Sequence, residues 1–214
     1  MKIRLLSIIA CSLMLSCGPL YIAGYYAQLI DVEEPGNQRY KPSDLRILKH
    51  ARGIENTYEN SAFDISIELL IDCYFFGLKN KSYQSIRVIW DESFYIDEDS
   101  EEHHVVLEGT TPENRFKPQT PSVIERDSTL IDEIYPASYT YYDEDIGWRK
   151  RPLLPVISRN PDELERKSET YIGRKIGLIL MLEIYDVKHR YEFTFEVKDT
   201  WVEQYKKGMF TSPE

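Results

Sequence analysis

Cysteine is scarce in this chain, with three in 214 residues, at positions 11, 17 and 73. A stapled disulfide scaffold needs more, and no Cys-x-x-Cys pair is present to hold a zinc ion or run redox exchange. Histidine is nearly as sparse: His50, His103, His104 and His189 are the full set, and no His-Glu-x-x-His pattern places two of them on one helix face. Gly-x-Ser-x-Gly, which would present a hydrolase serine on a sharp turn, is missing, as is any glycine-rich phosphate loop. Positive charge is also in deficit. Twenty-six Lys and Arg face 36 Asp and Glu, a formal net charge of −10. A surface of that sign repels phosphate, so nucleic acid is not an expected partner. Nothing in the pattern calls for a cofactor.

The amino terminus is the most informative segment. Lys2 and Arg4 precede an almost wholly apolar run over residues 5–15. That run is far short of the ~20 residues of a membrane-spanning helix and has the layout of a secretory signal peptide. It ends in Met14-Leu15-Ser16-Cys17-Gly18, which resembles the lipobox of bacterial lipoproteins. The resemblance implies that the Cys17 thiol receives a diacylglycerol and that cleavage before it removes residues 1–16. Met14 departs from the leucine that the family usually carries there, and Cys11 offers a second match with a shorter apolar run. An uncleaved signal anchor is the alternative. Gly18, in place of an acidic residue, agrees with the outer membrane, facing the periplasm or the surface. With Cys11 removed and Cys17 lipidated, only Cys73 remains, so the fold must rest on a hydrophobic core.

Beyond Cys17 the pattern is mainly that of strands. Residues 17–60 read as the lipidated terminus, a tether (18–42) and a short helix following Pro42-Ser43, with Asp44, Leu45 and Leu48 before Gly53. Phe63, Ile65, Ile67, Leu69, Ile71, Cys73 and Phe75 alternate as one strand face, and residues 77–82 read as a turn. Ile86, Val88 and Trp90 alternate again, residues 97–102 form a charged hairpin tip, and residues 108–122 make a long connection. Asn160-Pro161-Asp162-Glu163 is a helix start. The apolar 176–185 run, a turn over 186–189 and alternating Tyr191, Phe193, Phe195 and Val197 form the clearest hairpin. The expectation is a mainly β domain over residues 61–200, an antiparallel two-sheet sandwich of immunoglobulin-like type with about eight strands, one or two short helices and long loops. An open barrel is its competitor, and residues 201–214 form a tail. The segments IRVIWDESFYID (86–97), PQTPSVIERDS (118–128) and GLILMLEI (177–184) loosely resemble uncharacterised bacterial lipoproteins, a group that brings no activity with it.

Four groups of residues could carry chemistry. Asp97, Asp99 and Glu101 alternate at the hairpin tip and are the weak candidates for calcium, although the glycine of a tight calcium loop is missing. Asp91 and Glu92 are a carboxylate pair, but neighbours on a strand point apart. His103 and His104 likewise point to opposite faces and cannot share one metal. Tyr135, Tyr139, Tyr141, Tyr142 and Trp148 could stack on sugar rings or simply cover the sheet. Charge is also segregated: residues 91–145 hold 16 acidic and 3 basic side chains. Together these features point to a non-enzymatic, lipid-anchored module of the bacterial envelope, held to a membrane and binding an envelope protein or glycan. The alternatives are a periplasmic or surface hydrolase with a non-standard carboxylate site, and a carbohydrate- or calcium-binding module.

Overall fold

A computed structural model describes residues 19–36, 38–40, 46–50, 53–145, 147–154 and 157–204. The lipobox, with Cys17, and residues 205–214 lie outside the described residues. In chain order the strands are β1 (Tyr21–Glu34), β2 (Gln38–Tyr40), β3 (Arg46–His50), β4 (Gly53–Glu59), β5 (Phe63–Leu69) and β6 (Tyr74–Asn80). They continue with β7 (Ile86–Val88), β8 (Phe94–Ile96), β9 (Glu102–Leu107), β10 (Ser122–Ile124) and β11 (Thr129–Pro136). A small separate hairpin, β12 (Thr140–Asp143) with β13 (Gly147–Lys150), follows. Then come β14 (Ile157–Ser158), the helix α1 (Pro161–Glu169), β15 (Lys175–Ile184) and β16 (Val187–Gln204).

The fold is mainly β and antiparallel, as the alternation requires. Eleven strands run in one path, β14-β1-β16-β15-β8-β9-β11-β6-β5-β4-β3, with β2 added on β1 and the β7–β10 pair added on β15. This is a nearly closed, barrel-like sheet and not two clearly separate immunoglobulin-type sheets. Its two ends meet where β1 faces β4. There the Asn56 amide, 1% exposed, replaces a strand ladder. Its Oδ1 accepts from the Leu29 N–H at 2.8 Å, and its Nδ2 donates to the Ala27 carbonyl at 3.1 Å. Bulges bend β1 and β16 towards this seam, through register shifts at Tyr26/Ala27 and Leu29/Asp31.

Aromatic side chains fill the interior. Tyr58 meets Phe193 with ring centroids 5.8 Å apart, Phe63 meets Tyr191 at 4.9 Å, and Tyr74 meets Phe195 at 5.7 Å. Each pair spans from β4, β5 or β6 across to β16, in the tilted or edge-on arrangements that ring quadrupoles favour. Trp90 is fully buried against Phe76 and donates its indole N–H to Ser122 Oγ at 3.0 Å. From β15, Ile176, Leu178, Leu180, Leu182 and Ile184 enter the same core.

Several expectations are corrected. The supposed tether contains β1, the partner of β16 over most of its length, with Ile22, Ala23, Ala27, Leu29 and Val32 buried. Its mixed composition is that of a bulged strand: Gly24 lacks a Cβ, and one placed there would overlap the Trp201 indole, which crosses β1 at that point. The segment expected to be helical holds β3 at Arg46–His50, paired with β4. The supposed single strand over residues 63–75 is a hairpin. Leu70 N donates to the Cys73 carbonyl, and the turn shifts the buried phase to Tyr74, Phe76 and Leu78, leaving Phe75 partly exposed. The supposed turn over residues 77–82 is largely β6, with Gly77 paired between Ser66 and Ile131. The last hairpin is as expected except that it turns earlier, at Tyr185 and Asp186, whose φ values of 55° and 60° meet the two-residue requirement. β16 also runs past residue 200 to Gln204. The helix start is confirmed: Asn160 Oδ1 accepts from the backbone N–H groups of Asp162 and Glu163.

Leu180 is fully buried, so Leu180→Ala is expected to cost about 2–5 kcal/mol in urea unfolding. Asn56→Ala strands the Leu29 N–H and the Ala27 carbonyl, at about 1–3 kcal/mol for each group left without a partner. An unfolding curve that matches the parent for either variant contradicts its place in the core.

Candidate functional site

The β8–β9 hairpin tip is built around one carboxylate. Asp97 Oδ1 accepts from the backbone N–H of Asp99 at 3.0 Å and of Glu101 at 2.9 Å, which tightens the turn and allows Ser100 its φ of 67°. Asp97 Oδ2 lies 3.0 Å from His103 Nε2, and His103 Nδ1 lies 2.9 Å from Ser138 Oγ. Because an ionised carboxylate only accepts, this contact puts a proton on Nε2, and the serine hydroxyl, which can donate or accept, meets Nδ1. Tyr95 stacks on the His103 ring at 6.0 Å and Tyr139 meets it edge-on at 5.2 Å. Burial raises the Asp97 pKa, but the hydrogen bonds from His103, Glu101 and Asp99 outweigh it and hold this carboxyl below its ordinary value.

The candidate calcium residues are therefore only partly brought together. Potential ligand atoms of Asp97, Glu101 and His103 lie within 4.8 Å of one another, while the Asp99 side chain stands outside this group. Both Asp97 oxygens already serve the turn and His103. The residue acts as an organiser of the hairpin, and the mixed nitrogen–oxygen set is not the all-oxygen shell of calcium.

His104 points to the other side of β9, as alternation requires, with its ring 4.6 Å from Phe94. There it borders a cleft of about 240 Å³ lined also by Asp91, Arg115, Phe116, Lys117 and Gln119. Asp91 and Glu92 diverge: Asp91 Oδ1 accepts from the Gln119 N–H at 2.9 Å, and Glu92 pairs with Lys188. The tyrosine group divides as well. Tyr135 is buried beneath Lys150, Tyr139 packs on His103, and Tyr142 remains outside, edge-on to Trp148 at 5.4 Å and 76°. This is no flat platform for a sugar ring. Cys73 is buried, its thiol 3.7 Å from Glu133 Oε2, and burial pushes its pKa up, so it stays a protonated thiol.

Sequence patterning missed Ser138 and the Arg115–Gln119 loop. Ser138 lies 35 residues from His103, and no short motif links them. The loop does carry a signal in hindsight: two of the three basic residues in the acidic 91–145 stretch are Arg115 and Lys117. No family model matches the chain, no curated protein matches its sequence and no solved structure matches its fold.

The depressed Asp97 carboxyl makes hairpin stability depend on acid. Its contribution is complete above the unfolded-chain value of about 3.9 and is lost as pH falls through the lower folded value. The gap in melting temperature between the parent and Asp97→Asn is thus expected to be widest at neutral pH and to narrow below about pH 4. A gap that stays constant down to pH 2 contradicts the ionised Asp97–His103 contact.

Proposed function

We propose that the chain is a lipid-anchored module of the bacterial cell envelope, tethered through Cys17, that binds a partner without transforming it. The order of features at the amino terminus carries this reading: Lys2 and Arg4, the apolar run over residues 5–15, then Ser16-Cys17-Gly18. The position of β1 supports it physically. Tyr21 is already in the sheet and Ile22 and Ala23 are buried, so only residues 18–20 separate Cys17 from the barrel. Three extended residues span at most about 11 Å. A lipid on Cys17 would hold this end of the barrel against the bilayer, with no long tether. The membrane in this reading is the outer membrane, and the partner class is an envelope protein or glycan. One lipid group with a short linker keeps this end of the barrel close to the bilayer, which suits recognition of a neighbour in the same layer.

A second reading, hydrolysis, is favoured by one observation, the Asp97–His103–Ser138 chain of contacts. It ranks below the first because the cleft described above lies on the His104 side of β9, away from the serine. Fluorophosphonate labelling of Ser138, lost in Ser138→Ala, would raise it above the binding reading.

Metabolic labelling with radioactive palmitate tests the anchor. The parent is expected to incorporate label and to lose its first 16 residues, and Cys17→Ser to do neither. Label retained by Cys17→Ser contradicts the assignment.

A further inference from the structure

The cleft beside His104 combines unpaired cations with an exposed aromatic ring. Residues 91–145 carry 16 acidic side chains and three basic ones. Arg126 is paired with the neighbouring Asp127 at 3.3 Å. Arg115 and Lys117, the other two, line the cleft, and neither forms an ion pair among the described residues. In so acidic a setting, cations free of carboxylates form a local positive opening in a negative field, which concentrates an anionic ligand there.

The Arg115 guanidinium is held for such a task. Its centre lies 4.5 Å from the Phe116 ring and 5.0 Å from the Trp148 ring. One Nη donates to the Pro112 carbonyl, and Nε is buried without a hydrogen-bond partner among the described residues. A buried N–H of this kind costs stability unless an acceptor arrives. The loop that carries it is pinned in advance, since Gln119 donates its backbone N–H to Asp91 and its side-chain amide to the Val105 carbonyl at 2.7 Å. Phe116, 68% exposed, adds an apolar ring face to the lining, and Trp148 backs the guanidinium from outside it. The space, about 240 Å³, is below the ~300–1,000 Å³ of sites for whole small molecules. It suits one ring or end group of a larger chain.

We infer that this cleft binds a carboxylate-bearing sugar unit, such as a uronic acid residue of an envelope glycan. Arg115 and Lys117 take the carboxylate, Asp91 and His104 stand beside the ring hydroxyls, and Phe116 covers the apolar face. The inference names the partner class of the binding module and rests on that reading.

Titration of the full chain in detergent with a glucuronic acid disaccharide tests it, read by calorimetry and Trp fluorescence. Saturable binding is expected, at least ~10-fold tighter than for the glucose disaccharide of the same linkage. The exposed Lys117→Gln should weaken it several-fold with an unchanged melting curve, Arg115→Gln should weaken it at least as much, and Phe116→Ala should weaken it without altering the salt dependence. Equal binding of the neutral disaccharide, complete displacement by equimolar phosphate, or full affinity in both charge variants would overturn the proposal. Palmitate incorporation at Cys17 is independent of each of these results, so failure of the ligand and failure of the anchor are told apart.

Discussion

The barrel depends on how its sheet ends are joined. A sheet of this length leaves two edges, and an unsatisfied edge is a template for aggregation. Here the edge of β1 is met by β4, and the Asn56 side chain supplies both a donor and an acceptor where a strand ladder would have done so. An amide suits this position because it matches one backbone N–H and one C=O at once. It also donates to the Ile67 carbonyl at 3.4 Å, tying β5 to the seam. With the seam closed, the rings of Tyr58, Phe63 and Tyr74 meet those of β16 in a dry interior. Asn80 plays a comparable part, fully buried and donating to the carbonyls of Gln84 and Ile124. These two polar side chains specify strand positions that apolar packing alone leaves loose.

Regular alternation made much of the fold legible. Residues 176–184 and 191–197, Ile86 to Trp90 and the Asn160 cap could be read because each follows a local rule. The elements that escaped break the local rule for a tertiary reason. β1 is bulged and carries Gly24 to make room for Trp201, so its period is lost. The 63–80 hairpin turns without a glycine at its bend and carries Gly77 inside a strand, so composition put the turn in the wrong place. The Tyr185–Asp186 turn uses a tyrosine at positive φ, a choice that turn statistics disfavour.

The candidate site was legible only at the level of direction. Alternation separates His103 from His104, and the structure sends one to Asp97 and Ser138 and the other to the cleft. Asp97 is only six residues from His103, but Ser138 is 35 away and the Arg115–Gln119 loop lies 11 to 15 residues beyond His104, and such convergence leaves no motif. The 91–145 charge imbalance was visible, but its meaning lay in the exceptions: the positions of Arg115 and Lys117 matter more than the sum.

The nearly closed sheet depends on the Asn56 bridge at the β1–β4 seam, and amide hydrogen exchange at Leu29 tests it most directly. A closed seam predicts that the Leu29 N–H, held by Asn56 Oδ1 at 2.8 Å, exchanges as slowly as the amides of the buried β15–β16 hairpin and requires global unfolding. Exchange at the rate of an open strand edge, with β15 and β16 still protected, would show that β1 is a free edge and would contradict the bridged seam.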